Sequence, residues 1–169
     1  LLFGGLETIA FNQNRKNPDL KLFEFGKNYF LKQVEEGNSI KNYSESVQLM
    51  LLLTGKKNAE SWQMTDVNIS FYDAKKIVIN ILKKLGLFDQ LSISEITDDS
   101  ILSEGIVIQK NKKELARVGV VHQHLIKKFD IKQDVLLAFF DWENIFKEIK
   151  KVKVRYTEIS KFPEVRRDL

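Results

Sequence analysis

Apolar residues change their period several times along the chain, and each change marks an element. Leu2, Leu6, Ile9 and Ala10 recur at helical spacing, so residues 3–14 read as a helix. Pro18 cannot continue it, and Asn17 before the proline is pushed to an extended backbone. The stretch KLFEFGKNYF, residues 21–30, alternates: Leu22, Glu24 and Gly26 face one way, Phe23, Phe25 and Lys27 the other. Period two with aromatics signals a strand, although Gly26 weakens a strand unless another group must come close. Glu36, Gly37 and Asn38 mark a loop. Ser46 to Thr54 then reads as a second strand, fully buried at its centre, LMLLL, and stopped by Gly55.

The segment 71–85 carries the clearest helical pattern. Ala74, Ile77, Val78, Ile81, Leu82 and Leu85 line one face, and lysines and Asn80 the other. Asp73 near its start suits the helix dipole, and Gly86 stands where a left-handed cap is favoured. Short strands are expected at 92–97, 105–109 and 114–121, the last two joined by the turn KNKK. A short helix at 123–129, a strand at 135–142 (VLLAFFDW) and a closing helix at 142–150 follow. Hairpins among helices favour an antiparallel sheet covered by helices, an α+β arrangement.

Composition narrows the class. A length of 169 residues suits one domain, with 43% hydrophobic and 30% charged residues. No apolar run approaches the roughly 18 residues of a membrane span, and the start shows no signal peptide. Leu1 reads as a cut through a longer chain. The absence of Cys removes disulfides, thiol nucleophiles and Cys-zinc sites, and fits an intracellular location. A net charge of +4 permits a polyanionic partner without demanding one. The densest basic run is Lys147, Lys150, Lys151, Lys153 and Arg155, relieved by Glu148; a solvated helix end explains it as readily as phosphate contact does.

Candidate chemistry is sparse. TGKKNAES lacks the first glycine and the Lys-Ser/Thr ending of a phosphate loop, and reads as a turn after a strand. His122 and His124 are a pair without the third ligand a metal site needs, and suit a strand-to-helix junction. Asp66, Asp73, Asp98, Asp99, Glu104, Asp141 and Glu143 are scattered, with Asp98-Asp99-Ser100 resembling a turn. Neither G-x-S-x-G nor G-x-G-x-x-G occurs. Residue chemistry alone thus ends at an α+β binding or assembly module.

Several stretches, in order, resemble the β subunit of bacterial phenylalanyl-tRNA synthetase. They are GGLETIAFNQNRKNPDLKLFEFGKNYF, LLLTGKKNAESWQ, ISFYDAKKIVINILKKLGL, ARVGVVHQHLIKKFDI with VLLAFFDWENI, and ISKFPEVRRDL. Asn12 to Arg15, Thr54, Gly55, Trp62, Phe71, Asp73 and Lys75 carry the first part of the match. In the last stretch Lys161, Phe162, Pro163, Arg166, Arg167 and Asp168 resemble the first strand of a ferredoxin-like anticodon-binding domain. Phe3 and Gln123 stand where the family usually has proline, and Ser100 to Gly105 lacks the family's frequent His-Pro-Gly-Arg.

The resemblance implies a class II synthetase-like antiparallel sheet flanked by helices. Residues 1–150 would be a non-catalytic core module, and 151–169 a linker and first strand of the next domain. It implies a cytoplasmic α2β2 holoenzyme that uses ATP and Mg²⁺ to attach phenylalanine to tRNA(Phe). A working class II site grips the triphosphate with one Arg on the strand matching 21–30 and another on the helix after VLLAFFDW, because polyphosphate charge calls for forked donors. Here those elements offer Glu24, Gly26 and Lys27, then Glu143, Asn144 and Lys147, so no catalytic residue, cofactor site or metal site is expected in this segment. Leu2, Leu6 and Ile9 are the expected contacts to the α subunit, and Lys150, Lys151, Lys153, Arg155, Arg166 and Arg167 would lie near tRNA. The alternative is a free-standing interaction module unrelated to aminoacylation.

Overall fold

The computed structural model describes residues 1–31, 43–58, 61–62, 66–97 and 99–153. The elements in chain order are α1 (Leu2–Gln13), β1 (Leu20–Leu31), β2 (Tyr43–Thr54), α2 (Phe71–Lys84), β3 (Ser92–Glu95), β4 (Leu102–Lys110), β5 (Lys113–Val121), α3 (Gln123–Lys128), β6 (Val135–Asp141) and α4 (Trp142–Ile149). All strand pairings are antiparallel, in the order β1-β2-β6-β5-β4-β3. The late strand β6 is thus inserted between β2 and β5. The expected α+β class and nearly every expected element are present, with boundaries moved by one to three residues.

Helices cover both faces of the sheet, and this explains the two longest apolar runs. In β6, Leu136, Ala138 and Phe140 point into a core with α2 and α4, whereas Val135 and Leu137 point into a second core with α1 and α3. In β2, Leu49 and Leu53 serve the first core, Met50 and Leu52 the second. A central strand buried on both sides has no polar face, so its sequence cannot alternate.

Local chemistry fixes the helix ends. The Ser70 side chain accepts from the Asp73 backbone N–H, and the Asp73 carboxylate accepts from the Ser70 N–H at 3.0 Å, a reciprocal cap on α2. Gly86, at φ +72°, closes the helix with N–H bonds from Gly86 to the Lys83 carbonyl and from Leu87 to the Leu82 carbonyl. Gly26 lies under the Leu1 side chain, whose tip a Cβ there would displace. Gly5 lets α1 pack closely on β2 from the helix side, where a Cβ would meet the side-chain ends of Leu52 and Met50. Among the described residues no helix is long and apolar enough to cross a membrane.

Candidate functional site

On the α1 side of the sheet a cleft of about 520 Å³ opens over β1, β2, β5 and β6. Asn28, Gln48, Phe139, Asp141, Glu114 and Arg117 form its polar and aromatic lining, with Leu2 and Phe3 of α1 at its rim. Of these strands, β1 is the one that the class II resemblance assigns to gripping a nucleotide. Asn28 donates to Gln48 Oε1 at 2.6 Å, so one amide pair closes on itself.

Among the described residues Arg117 is the one cationic side chain lining the cleft, and it is fully engaged. Its Nε and Nη2 donate to the two Glu114 oxygens at 2.7 and 3.0 Å, and its Nη1 to Asp99 Oδ2 at 2.9 Å. These carboxylates, Glu114 above all, hold the guanidinium pKa above its usual value. Asp99 is itself fixed, its Oδ1 accepting from the Ile101 and Leu102 N–H groups. Asp141 caps α4 by accepting from the Asn144 backbone N–H at 2.8 Å, and Asn144 Nδ2 donates to Asp141 Oδ2 and to the Glu114 carbonyl. Two carboxylates therefore hold the guanidinium, and a third, Asp141, lines the same cleft. A triphosphate and its Mg²⁺ do not fit this set, because the single forked donor is saturated and the surplus charge is negative.

The residues weighed from the sequence fall in different places. Glu24 shares the cleft's face of the sheet but is not among its lining residues, while Lys27 is on the opposite face, paired with Glu45 at 3.0 Å. Glu45 raises the Lys27 pKa through that hydrogen bond and its charge. Glu143 and Lys147 form an exposed pair on α4, 3.9 Å apart. His122 is the N-cap residue of α3 without a side-chain cap bond, its ring 4.7 Å from that of His124. Among the described residues no three His, Cys, Asp or Glu come together to hold a metal.

Leu2, Leu6 and Ile9 correct the expectation of a subunit contact. Leu6 and Ile9 are 0% exposed and Leu2 nearly so, all three in the core with Met50, Leu52 and Leu137. Their helical periodicity reported the chain's own interior, which is what such a stripe does by default. Several of the exposed large apolar groups lie together on edge strand β1: Phe23 (76% exposed), Phe25, Tyr29 (70%) and Leu31. They share the sheet face of α4, and Phe25 meets Trp142 edge-on with ring centres 4.7 Å apart. Lys150, Lys151 and Lys153 are exposed at the end of α4. Arg155, Arg166 and Arg167, with the anticodon-domain strand, lie outside the described residues.

Sequence reasoning missed Arg117, Glu114 and the burial of Glu148. A β-bulge hid the first two. Ile108 pairs with Ala116 but Gln109 with Glu114, so Leu115 is an extra residue in β5. Leu115 and its neighbour Ala116 both enter the α2 core, and Glu114 is returned to Arg117's side. A strict alternation would put Glu114 and Arg117 on opposite faces.

Comparison with known proteins follows the same line. The profile of the family described as phenylalanyl tRNA synthetase beta chain CLM domain matches residues 1–142. Relatives named phenylalanine–tRNA ligase beta subunit include those of Bacteroides thetaiotaomicron, 49% identical over the whole chain, and Porphyromonas gingivalis, 31% identical over the whole chain. The chain spans 21% of the length of either relative. Among solved structures, the pyrrolysyl-tRNA synthetase of Desulfitobacterium hafniense superimposes with a TM-score of 0.60 at 16% identity, over 88% of this chain and 48% of that one. That likeness shows a class II synthetase fold. The chain belongs to the phenylalanyl-tRNA synthetase beta chain CLM domain family.

Proposed function

We propose that this chain is a non-catalytic, class II-like module of a phenylalanine–tRNA ligase, supporting an α subunit that carries out ATP- and Mg²⁺-dependent charging of tRNA(Phe) in the cytoplasm. The observation that carries this reading is the charge balance at the cleft: one guanidinium held by Glu114 and Asp99, with Asp141 in the same lining. Where a nucleotide would need free cationic forks, the chain offers carboxylates. No step of the chemistry runs through these residues. The family assignment leaves the free-standing module without support.

The α subunit would dock on the β1 edge. An edge strand with exposed aromatics on one face is the kind of surface that a partner covers. Permanent interfaces bury about 2,000 Å² or more and draw on aromatic anchors. Phe23 and Tyr29 are the anchors assigned here, in place of Leu2, Leu6 and Ile9. Lys150, Lys151, Lys153, Arg155, Arg166 and Arg167 remain the residues assigned near tRNA(Phe).

The test is assembly of full-length β with α, followed by light scattering. Phe23→Ser combined with Tyr29→Ser is expected to weaken the α2β2 complex about tenfold or more, as loss of aromatic hot spots does. An unchanged complex would remove the β1 edge from the interface.

A further inference from the structure

Three basic segments far apart in sequence meet at one corner of the fold. The end of α2 supplies Lys83 and Lys84, both exposed. The β4–β5 turn supplies Lys110, Lys112 and Lys113, with Asn111 and Lys112 in left-handed conformations at its tip. The end of α4 supplies Lys150, Lys151 and Lys153.

Buried Glu148 joins the last two. It is 2% exposed, and its Oε1 lies 2.6 Å from Lys151 Nζ and 3.9 Å from Lys113 Nζ. Its Oε2 accepts from Asn111 Nδ2 at 3.2 Å. The Lys151 hydrogen bond is the largest of several influences that depress the Glu148 pKa. The α2 end joins through Gly86, where an added Cβ would sit 3.0 Å from Val152 Cγ1, just beyond α4.

Eight lysines thus share this corner with Glu148 and the exposed Asp89. Helix dipoles account for lysines at the ends of α2 and α4, as they do for Lys127 and Lys128 at the end of α3. They do not account for the lysines of a β-turn. Holding that turn against α4 by a buried carboxylate sets the charges in a fixed array, which suits the repeated phosphates of a nucleic acid.

We infer that this corner, built from the ends of α2 and α4 and the β4–β5 turn, binds the phosphate backbone of RNA. The inference rests on the reading that the whole protein handles tRNA, and extends it to residues of α2 and of the turn. Contact is to backbone charge and carries no base readout.

The test uses the assembled full-length α and β subunits and purified tRNA, with Kd measured across a salt series. The variant K83E/K84E/K110E/K112E is expected to weaken binding about tenfold or more near 0.1 M salt, and to flatten the log–log salt slope by about 2 to 3. The milder K110Q/K112Q, which reverses no charge, is expected to lower the slope by about 1 and leave assembly intact. The control K127E/K128E, on the opposite face of the sheet, should change neither. A salt slope equal to wild type in the K110Q/K112Q assembly overturns the inference and leaves the tRNA reading standing. Equal loss in the α3 control also overturns it, since net charge would then explain the effect. Failure of the wild-type assembly to bind tRNA would remove both.

Discussion

Asp73 shows how one side chain can set an element. Its carboxylate accepts from the Ser70 N–H and hydroxyl and pairs with Lys57. The Lys57 hydrogen bond first, and the Ser70 bonds next, lower its pKa to about 2. A carboxylate whose folded pKa is depressed adds stability above its unfolded pKa of about 3.9, and that stability disappears as pH falls through the folded value. Asp73→Ala is expected to cost about 1 kcal/mol at neutral pH by removing half of the cap. The difference from wild type should shrink between about pH 4 and pH 2. Urea unfolding of both proteins across that range checks it; a pH-independent gap would show that the carboxylate's charge is not the source. Glu148 is the opposite case, a charge taken into the interior and matched there by Lys151, Lys113 and Asn111.

The helix α1 carries an ambiguity that belongs to elements. Its apolar stripe could have faced a partner or its own sheet, and periodicity is the same in either case. Burial of Leu6 at 0% exposure decides for the sheet. Leu6→Ala is therefore expected to destabilise the fold by about 2–5 kcal/mol, the usual cost of emptying a buried leucine site. Thermal unfolding reads the loss. A neutral effect would place Leu6 at a surface after all. The strand β1 gives the complementary lesson: its alternation was legible, and both of its faces carry aromatic residues, Phe23, Phe25 and Tyr29 on one and Phe30 on the other. Which of those aromatics stay exposed depended on where α4 and α1 lie.

Seen whole, the molecule is a sheet clad by helices on both faces, with a cleft on one and an aromatic edge at its side. The charge of that cleft predicts its selectivity. Titration of ATP with Mg²⁺ into this chain is expected to give no saturable heat up to about 1 mM, a regime in which even weak binding near −4 kcal/mol would register. Micromolar binding would contradict the charge argument. The prediction belongs to the whole fold because Asp99, Glu114, Arg117 and Asp141 come from a loop and two strands that meet only when the sheet closes.

The order of helices and strands, Asp73 at the start of α2, the cap at Gly86, the turn at KNKK, the buried run LMLLL and the strand VLLAFF were all written in local pattern, because each depends on residues within a few positions of one another. The family, too, was legible from motifs spaced along the chain. Tertiary structure alone decided the rest. Insertion of β6 between β2 and β5 gave the central strands two cores, the bulge at Leu115 turned Glu114 toward Arg117, and Glu148 drew the β4–β5 turn onto α4. Such facts depend on which distant segments touch, and a one-residue change of register moves a side chain through the sheet, so periodicity could not reveal them.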